Sequence, residues 1–228
     1  MNNDIRLSTK QATNEAPPAI EVPRLPRRPS VPTTLSAAKL VDGSTFQDIT
    51  VANAELAEVV ANDPSFERVL LKRADFARSK LTLGTWIDVR WDTSDFAEAR
   101  WEKALFVRVE LLGCRMLGTQ LLEARMQHAR FSRSNMTYAR FWNAQFEHAR
   151  FEQCELREAS FEGANLSGVV FDRCDLREAD LRGATLRGTD LRGSQLDGLR
   201  VGIKDLQGAI IDAQQAVQLA ALLGVIVK

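Results

Sequence analysis

Large apolar side chains recur at every fifth position through most of this chain. From Phe66 to Ile211, thirty consecutive positions at this spacing carry one, with no slip in register. All eleven phenylalanines belong to the same series once it is extended back to Phe46. A period of five fits neither an α-helix, whose faces recur every 3.6 residues, nor a simple strand, which alternates every two.

The residue two positions before most of the large ones is small, as at Ala124, Ala129 and Ala139. Side chains two apart on an extended chain point the same way, so both positions face inward. If the chain turns after each pentapeptide, four make a square coil of 20 residues, and coils stack at about 4.8 Å. The pattern therefore predicts an all-β parallel β-helix of about seven and a half coils. Earlier repeats around Phe46 either add a coil or are cut off by Pro64.

The repeats also carry a family signature. "READLRGATLRG" and "EGANLSG", the latter with Ala164, Asn165 and Leu166, match the form A(D/N)LXX. The chain resembles the pentapeptide-repeat family over about residues 44 to 211. That resemblance implies a right-handed quadrilateral β-helix, here assigned to residues 37–211.

Residues 1–36 differ from the rest in composition. Six of the seven prolines lie between Pro17 and Pro32, the last four at every third residue, which suits polyproline II. We expect a disordered Pro-rich tail, with a docking motif around Arg24, Arg27 and Arg28 as the alternative.

Residues 212–228 read as a helix and a strand. "DAQQAVQLAALLG" offers Asp212 as N-cap and Gly224 as stop, and "VIVK" follows as a strand. An open solenoid end needs a cap, yet this segment has more apolar residues than one cap requires. We expect the surplus to form a homodimer interface, made by Val217, Leu219, Leu222, Leu223, Val225, Ile226 and Val227.

The same segment sharpens the family resemblance. "DLQGAIIDAQQAVQLAALLGVIV" resembles the C-terminal segment of Qnr-type and MfpA-type pentapeptide-repeat proteins. The resemblance implies a two-fold dimer that binds DNA gyrase and topoisomerase IV and shields them from quinolones or natural poisons. Two features depart from that group: the unbroken series leaves no room for projecting loops, and the long tail before the coils is unusual.

Charge limits the partners. Thirty basic and thirty acidic residues cancel, which argues against direct nucleic-acid binding. No apolar run is long enough to span a bilayer, and the N-terminus lacks the apolar core of a signal peptide. Three cysteines, an odd number, favour a reducing compartment. We expect a cytoplasmic protein.

One face of the predicted coil is acidic. When outward residues are grouped by their position within a 20-residue coil, one face carries eight carboxylates and four arginines, a net charge of −4. The carboxylates are Asp75, Asp95, Glu98, Glu155, Glu158, Asp175, Glu178 and Asp197. Two interpretations remain at this stage: a surface that stands in for DNA phosphates, or a solvated ladder of Asp and Arg.

Candidate chemistry is sparse. His128 and His148 are one coil apart and should stack, but a third metal ligand is not evident. Cys114, Cys154 and Cys174 take the small inward position, where no base is placed to activate them. We expect no enzyme activity, cofactor or metal. Four outward apolar residues form a ring around the coil: Val107, Leu112, Leu117 and Leu122. This apolar ring is either a contact surface or is folded against the coil and shielded from water.

Two functional hypotheses follow. The first is a dimeric, non-enzymatic protein that binds gyrase or topoisomerase IV, with the acidic face as a DNA mimic. The second is a general protein–protein interaction scaffold with no topoisomerase role.

Overall fold

Residues twenty positions apart lie opposite each other in parallel pairs. Phe66 is the Cα partner of Trp86, and Phe131 is the partner of Phe151. This offset is one coil of four pentapeptides, so the prediction of a right-handed four-sided parallel β-helix is confirmed. The computed structural model describes residues 19–26 and 35–220. Bridges between coils run from Ser36 to Ile210.

Short strands form the walls of the coils within these described residues. A 3-10 turn spans Ala37–Lys39, and the strands are β1 (Thr45–Gln47), β2 (Thr50–Ala52), β3 (Val60–Asn62), β4 (Ser65–Lys72), β5 (Lys80–Thr82), β6 (Thr85–Asp92), β7 (Arg100–Glu102), β8 (Leu105–Leu112), β9 (Gln120–Leu122), β10 (Arg125–Ser132), β11 (Gln145–Glu147), β12 (Arg150–Glu152) and β13 (Val170–Asp172). One α-helix, α1 (Ala213–Ala220), follows the coils.

All strand pairs are parallel. One sheet has the order β1-β4-β6-β8-β10-β12-β13, with β2 also paired to β4 and β11 to β10. A second sheet, β3-β5-β7-β9, covers another side. Since every register differs by twenty residues, a side chain stands directly above its counterpart one coil earlier.

The five-residue series fills the core. Phe131, Phe151 and Phe171 are at most 1% exposed and stack in one column, with ring centroids 4.6 and 4.9 Å apart. Trp86 and Trp101 stack across the interior at 4.7 Å. Each buried ring stabilises the coil by roughly 1.5–3 kcal/mol before chain ordering is counted.

In the coils, the second residue after a large apolar one turns the corner. Its backbone is left-handed, with φ of 54° at His128 and 50° at Arg133. This conformation is costly for residues other than glycine, but each corner is held by a bond between coils. For example, the Arg133 N–H donates to the Glu152 carbonyl at 2.9 Å. Side chains at these corners therefore form straight rows along the edges.

The solenoid includes the residues before Pro64. Phe46 pairs with Phe66 and Val51 with Leu71, so the earlier repeats do add to the coil. Pro64 is buried at a small inward position, and its carbonyl still accepts the Thr85 N–H at 2.8 Å. The proline is accommodated because the ladder uses its carbonyl at this point.

Candidate functional site

The predicted acidic face forms one continuous column. Parallel bridges join Asp75 to Asp95, Glu155 to Asp175, and the residues between them, so their side chains stand one coil apart. The column also reaches further back than predicted, since Glu55 bridges Asp75. Glu58 adds a corner carboxylate on the same face. Extending the five-residue series back to Leu56 would have placed Glu55 and Glu58 on this face.

Arginines neutralise part of this face. Arg115 pairs with Asp95 at 2.7 Å, and Arg177 holds Asp175 through two hydrogen bonds of 2.8 and 2.5 Å. The hydrogen bond from Arg177 is the main reason that the pKa of Asp175 is lowered. The carboxylates that are both exposed and distant from arginines are therefore the ones left for a partner.

The exposed carboxylates of the column lie at both of its ends. Glu98 is exposed in the lower half, and Glu155 is exposed in the upper half. Glu178 is exposed as well, but it lies 4.0 Å from the Arg157 guanidinium. Asp197 is exposed at the top and accepts a hydrogen bond from Gln218 at 3.2 Å. Asp75, Asp95, Glu158 and Asp175 are half-buried. With Glu55 and Glu58 the face carries ten carboxylates against four arginines, a net charge of −6.

A neighbouring face has no such surplus, although it is also rich in carboxylates. There Glu110 lies between Arg90 and Arg130, at 3.9 and 3.6 Å. Glu152 is held by Arg130 and Arg150, each at 2.7 Å. This network runs along several coils and leaves its carboxylates compensated. The acidic column is thus distinct in its free charge.

Residues 19–26 lie along the edge formed by Asp88, Arg108 and His128. The Arg24 N–H donates to Asp88 Oδ1 at 2.9 Å, and the Glu21 N–H donates to His128 Nδ1 at 3.3 Å. Asp88 and His128 are two coils apart, about 10 Å, which is the reach of three extended residues. Of the tail predicted to be disordered, residues 1–18 and 27–34 lie outside the described residues. Residues 19–26 are an extended segment docked on the coil.

The two histidines stack as predicted. The rings of His128 and His148 are 4.9 Å apart and 15° from parallel. Among residues 19–26 and 35–220 there is no group of three or more side chains suited to hold a metal ion. Glu21 from the N-terminal segment is the neighbour of His128 that sequence reasoning missed.

The cysteines occupy the interior. Cys114, Cys154 and Cys174 are each 2% exposed and unpaired by disulfides. Burial raises the pKa of the Cys114 thiol to about 12, so this group stays protonated at neutral pH. The predicted inward position of all three is confirmed.

The side chains of the apolar ring are neither fully exposed nor fully buried. Val107, Leu112, Leu117 and Leu122 are all half-buried. Leu105, which precedes the ring, is 37% exposed, and Trp142, one coil above Leu122, is 51% exposed.

Helix α1 closes the end of the coil. Asp212 Oδ1 accepts the Gln215 N–H at 3.0 Å, while Gln215 Oε1 accepts the Asp212 N–H at 3.0 Å, which forms a reciprocal cap. Leu219 is 7% exposed and packs on the core, whereas Val217 is 53% exposed. The other predicted interface residues and the strand lie outside the described residues: Leu222, Leu223, Val225, Ile226 and Val227. None of the helices in the described part of the chain is long and apolar enough to cross a bilayer.

A family comparison matches this repeated geometry. The family model described as "Pentapeptide repeat region" matches residues 84–161 and, in an overlapping match, residues 106–181. Residues 84–181 therefore belong to the pentapeptide-repeat family. The matched range covers the middle coils, including the central part of the acidic column.

Solved structures are similar to the chain in fold. Trypsin-treated QnrB1, described as a plasmid-mediated fluoroquinolone resistance protein, is 21% identical with a TM-score of 0.47, covering 86% of this chain and 98% of QnrB1. HetL from the cyanobacterium Nostoc sp. strain PCC 7120, described as involved in heterocyst differentiation regulation, is 21% identical with a TM-score of 0.31. That match covers 74% of this chain and 87% of HetL. No curated protein matches the sequence.

Proposed function

We propose that this protein binds DNA gyrase or topoisomerase IV in the cytoplasm, as a non-enzymatic DNA mimic, and protects the enzyme from quinolone-like or natural poisons. The observation that carries the proposal is the acidic column, in which two groups of carboxylates, Glu55 to Glu98 and Glu155 to Asp197, stack along one face. The resemblance of the C-terminal segment to Qnr-type and MfpA-type proteins names the target. Fluoroquinolone resistance is also what QnrB1 is described as providing.

The negative charge of the acidic column favours a partner that has a surface for binding duplex DNA. From Glu55 to Asp197 the column spans about seven coil rises, roughly 34 Å. Duplex DNA of that length carries about 20 charges, so the face offers about half as many carboxylates as the duplex has phosphates. A basic DNA-binding surface would attract such a face, and the attraction would weaken steeply with salt.

Dimerisation would lengthen this surface. Helix α1 seats Leu219 on the last coil and leaves Val217 exposed on its outer side. In our proposal a second copy packs against this end, and the two solenoids form one rod. The acidic columns of both copies would then reach a partner longer than one chain.

The test is DNA cleavage by gyrase in the presence of a fluoroquinolone. The protein should reduce the amount of linear DNA in a dose-dependent manner. A triple variant, Glu98→Gln, Glu155→Gln and Glu178→Gln, should protect at least about tenfold less well, because it removes three exposed charges from the column.

A matched control removes the same number of exposed carboxylate charges elsewhere, with Asp42→Asn, Asp63→Asn and Glu147→Gln. This control should protect like the parent protein. If the parent protein neither binds gyrase nor reduces cleavage at micromolar concentration, the topoisomerase role is wrong and the scaffold hypothesis takes its place.

A further inference from the structure

Two aromatic side chains stand outside an otherwise buried aromatic core. The sequence holds eleven Phe, four Trp and one Tyr, and all lie within the described coils. Only Tyr138 and Trp142 are exposed, at 52% and 51%. Tyr and Trp carry a large apolar surface with a polar tip, and they are common anchors of protein interfaces.

These two residues belong to one edge with an arginine between them. Outward side chains alternate along the chain, so Tyr138, Arg140 and Trp142 project while Ala139 and Phe141 are buried. We call these three outward residues the aromatic edge. Arg140 is exposed and forms no ion pair with any residue in the described part of the chain.

The coil below the aromatic edge is apolar. Leu122 lies one coil below Trp142, and Gly118, which has no side chain, lies one coil below Tyr138. Leu117 and Leu122 are half-buried, so they extend the apolar surface under the two aromatics. Exposed glutamates border this surface: Glu123 follows Leu122 in the coil below, and Glu162 lies one coil above Trp142. An apolar centre with a polar rim is the usual anatomy of a protein interface.

The aromatic edge also fills the gap in the acidic column. The column passes through Arg115 and Asn135, which carry no negative charge, between Asp95 below and Glu155 above. Tyr138 stands at this gap beside Glu158 of the upper acidic group, whose carboxylate raises the pKa of the Tyr138 hydroxyl. Tyr138 therefore lies between two groups of carboxylates, and Trp142 projects from the adjoining side of the same coil.

We infer that the aromatic edge is the central contact with the topoisomerase, an inference that rests on the proposed function. The two acidic groups would meet basic surface on either side. Between them the partner would present an apolar recess for Trp142 and Tyr138, with a carboxylate for Arg140. Because DNA has no counterpart to these side chains, this contact supplies specificity that charge alone lacks.

The test is titration of gyrase with full-length variants at about 0.1 and 0.3 M salt. Tyr138→Ala combined with Trp142→Ala should weaken binding by at least about 30-fold at both salt concentrations, because the lost contact is apolar. Arg140→Glu should weaken it as well. The triple glutamine variant of the column should instead reduce the salt dependence.

The control is Val60→Ala, an exposed apolar residue in the same row as Arg140 but four coils away. It should bind like the parent protein, and all variants should melt at similar temperatures since the changed side chains are exposed. If the parent protein binds gyrase and the double variant binds within about threefold of it, the inference alone fails. If the parent protein does not bind gyrase, both the proposed function and this inference are wrong.

Discussion

Asp88 and Arg108, one coil apart on an edge of the solenoid, form a doubly hydrogen-bonded ion pair. The Asp88 carboxylate accepts from Nε and Nη2 of Arg108 at 2.7 and 2.8 Å. It also accepts the backbone N–H of Arg24, and only 6% of its side chain is exposed. One carboxylate thus links two coils and the N-terminal segment.

The first prediction concerns the pH dependence of stability. Burial by itself would raise the pKa of Asp88, but the hydrogen bonds from Arg108 and Arg24 outweigh it and lower the pKa. A lowered pKa stabilises the fold above the unfolded value of about 3.9 and loses that contribution as the pH falls through the folded value. Asp88→Asn should therefore cost about 2 kcal/mol at pH 7 and progressively less towards pH 3.

Urea unfolding across this pH range measures the effect. The control is Glu58→Gln, which breaks the exposed pair with Arg78 and should change stability far less. An Asp88→Asn cost that stays constant down to pH 3 would show that the carboxylate charge is not what stabilises this edge.

The second prediction separates the backbone of Arg24 from its side chain. Arg24→Pro removes the N–H that donates to Asp88 but keeps the chain extended, whereas Arg24→Ala keeps the N–H. The proline variant should release residues 19–26 from the coil. Hydrogen exchange at the Glu21 amide, bonded to His128, should accelerate in Arg24→Pro and stay near the parent rate in Arg24→Ala. Equal protection in both variants would contradict the docking.

The third prediction tests the stacked core. Phe151 is fully buried between Phe131 and Phe171. Phe151→Ala should lower the free energy of unfolding by about 3–5 kcal/mol, since it removes both ring contacts and leaves a cavity. The exposed Gln145→Ala on a nearby face should be close to neutral. A loss below about 1 kcal/mol at Phe151 would contradict the packing described.

The fourth prediction concerns the closure of the last coil. Gln215 Nε2 donates to the carbonyls of Leu191 and Ser194 at 2.6 and 2.8 Å, and the residue is 3% exposed. Gln215→Ala should destabilise the end of the solenoid by about 1–3 kcal/mol because both buried carbonyls lose a donor. The helical signal at α1 should melt early, while the neighbouring exposed Gln214→Ala should leave it unchanged.

The sequence was sufficient to predict the coil because its signal is local and repeated. Each large residue of the series is buried by the equivalent residue one coil away, so the five-residue spacing alone places Phe131 under Phe151. The same arithmetic placed His128 beneath His148 and Glu155 beneath Asp175.

Contacts that do not repeat every twenty residues were not predictable. Docking of residues 19–26 depends on Asp88 having a free acceptor at one edge, which no periodic pattern encodes. The pairing of Asp175 with Arg177 depends on side-chain rotamers, so the count of charges on the face overstated what is available to a partner. The exposure of Trp142 was recognisable from its outward position, but its place beside the gap in the acidic column required the assembled coil.

The most direct test of DNA mimicry is competition for gyrase between the protein and a labelled DNA duplex, followed by fluorescence anisotropy at about 0.1 M salt. If the acidic column occupies the DNA-binding surface, the protein should displace the duplex completely, and the triple glutamine variant should need at least about ten times more protein to do so. A ternary complex, in which the protein binds gyrase while the duplex stays fully bound, would contradict the account.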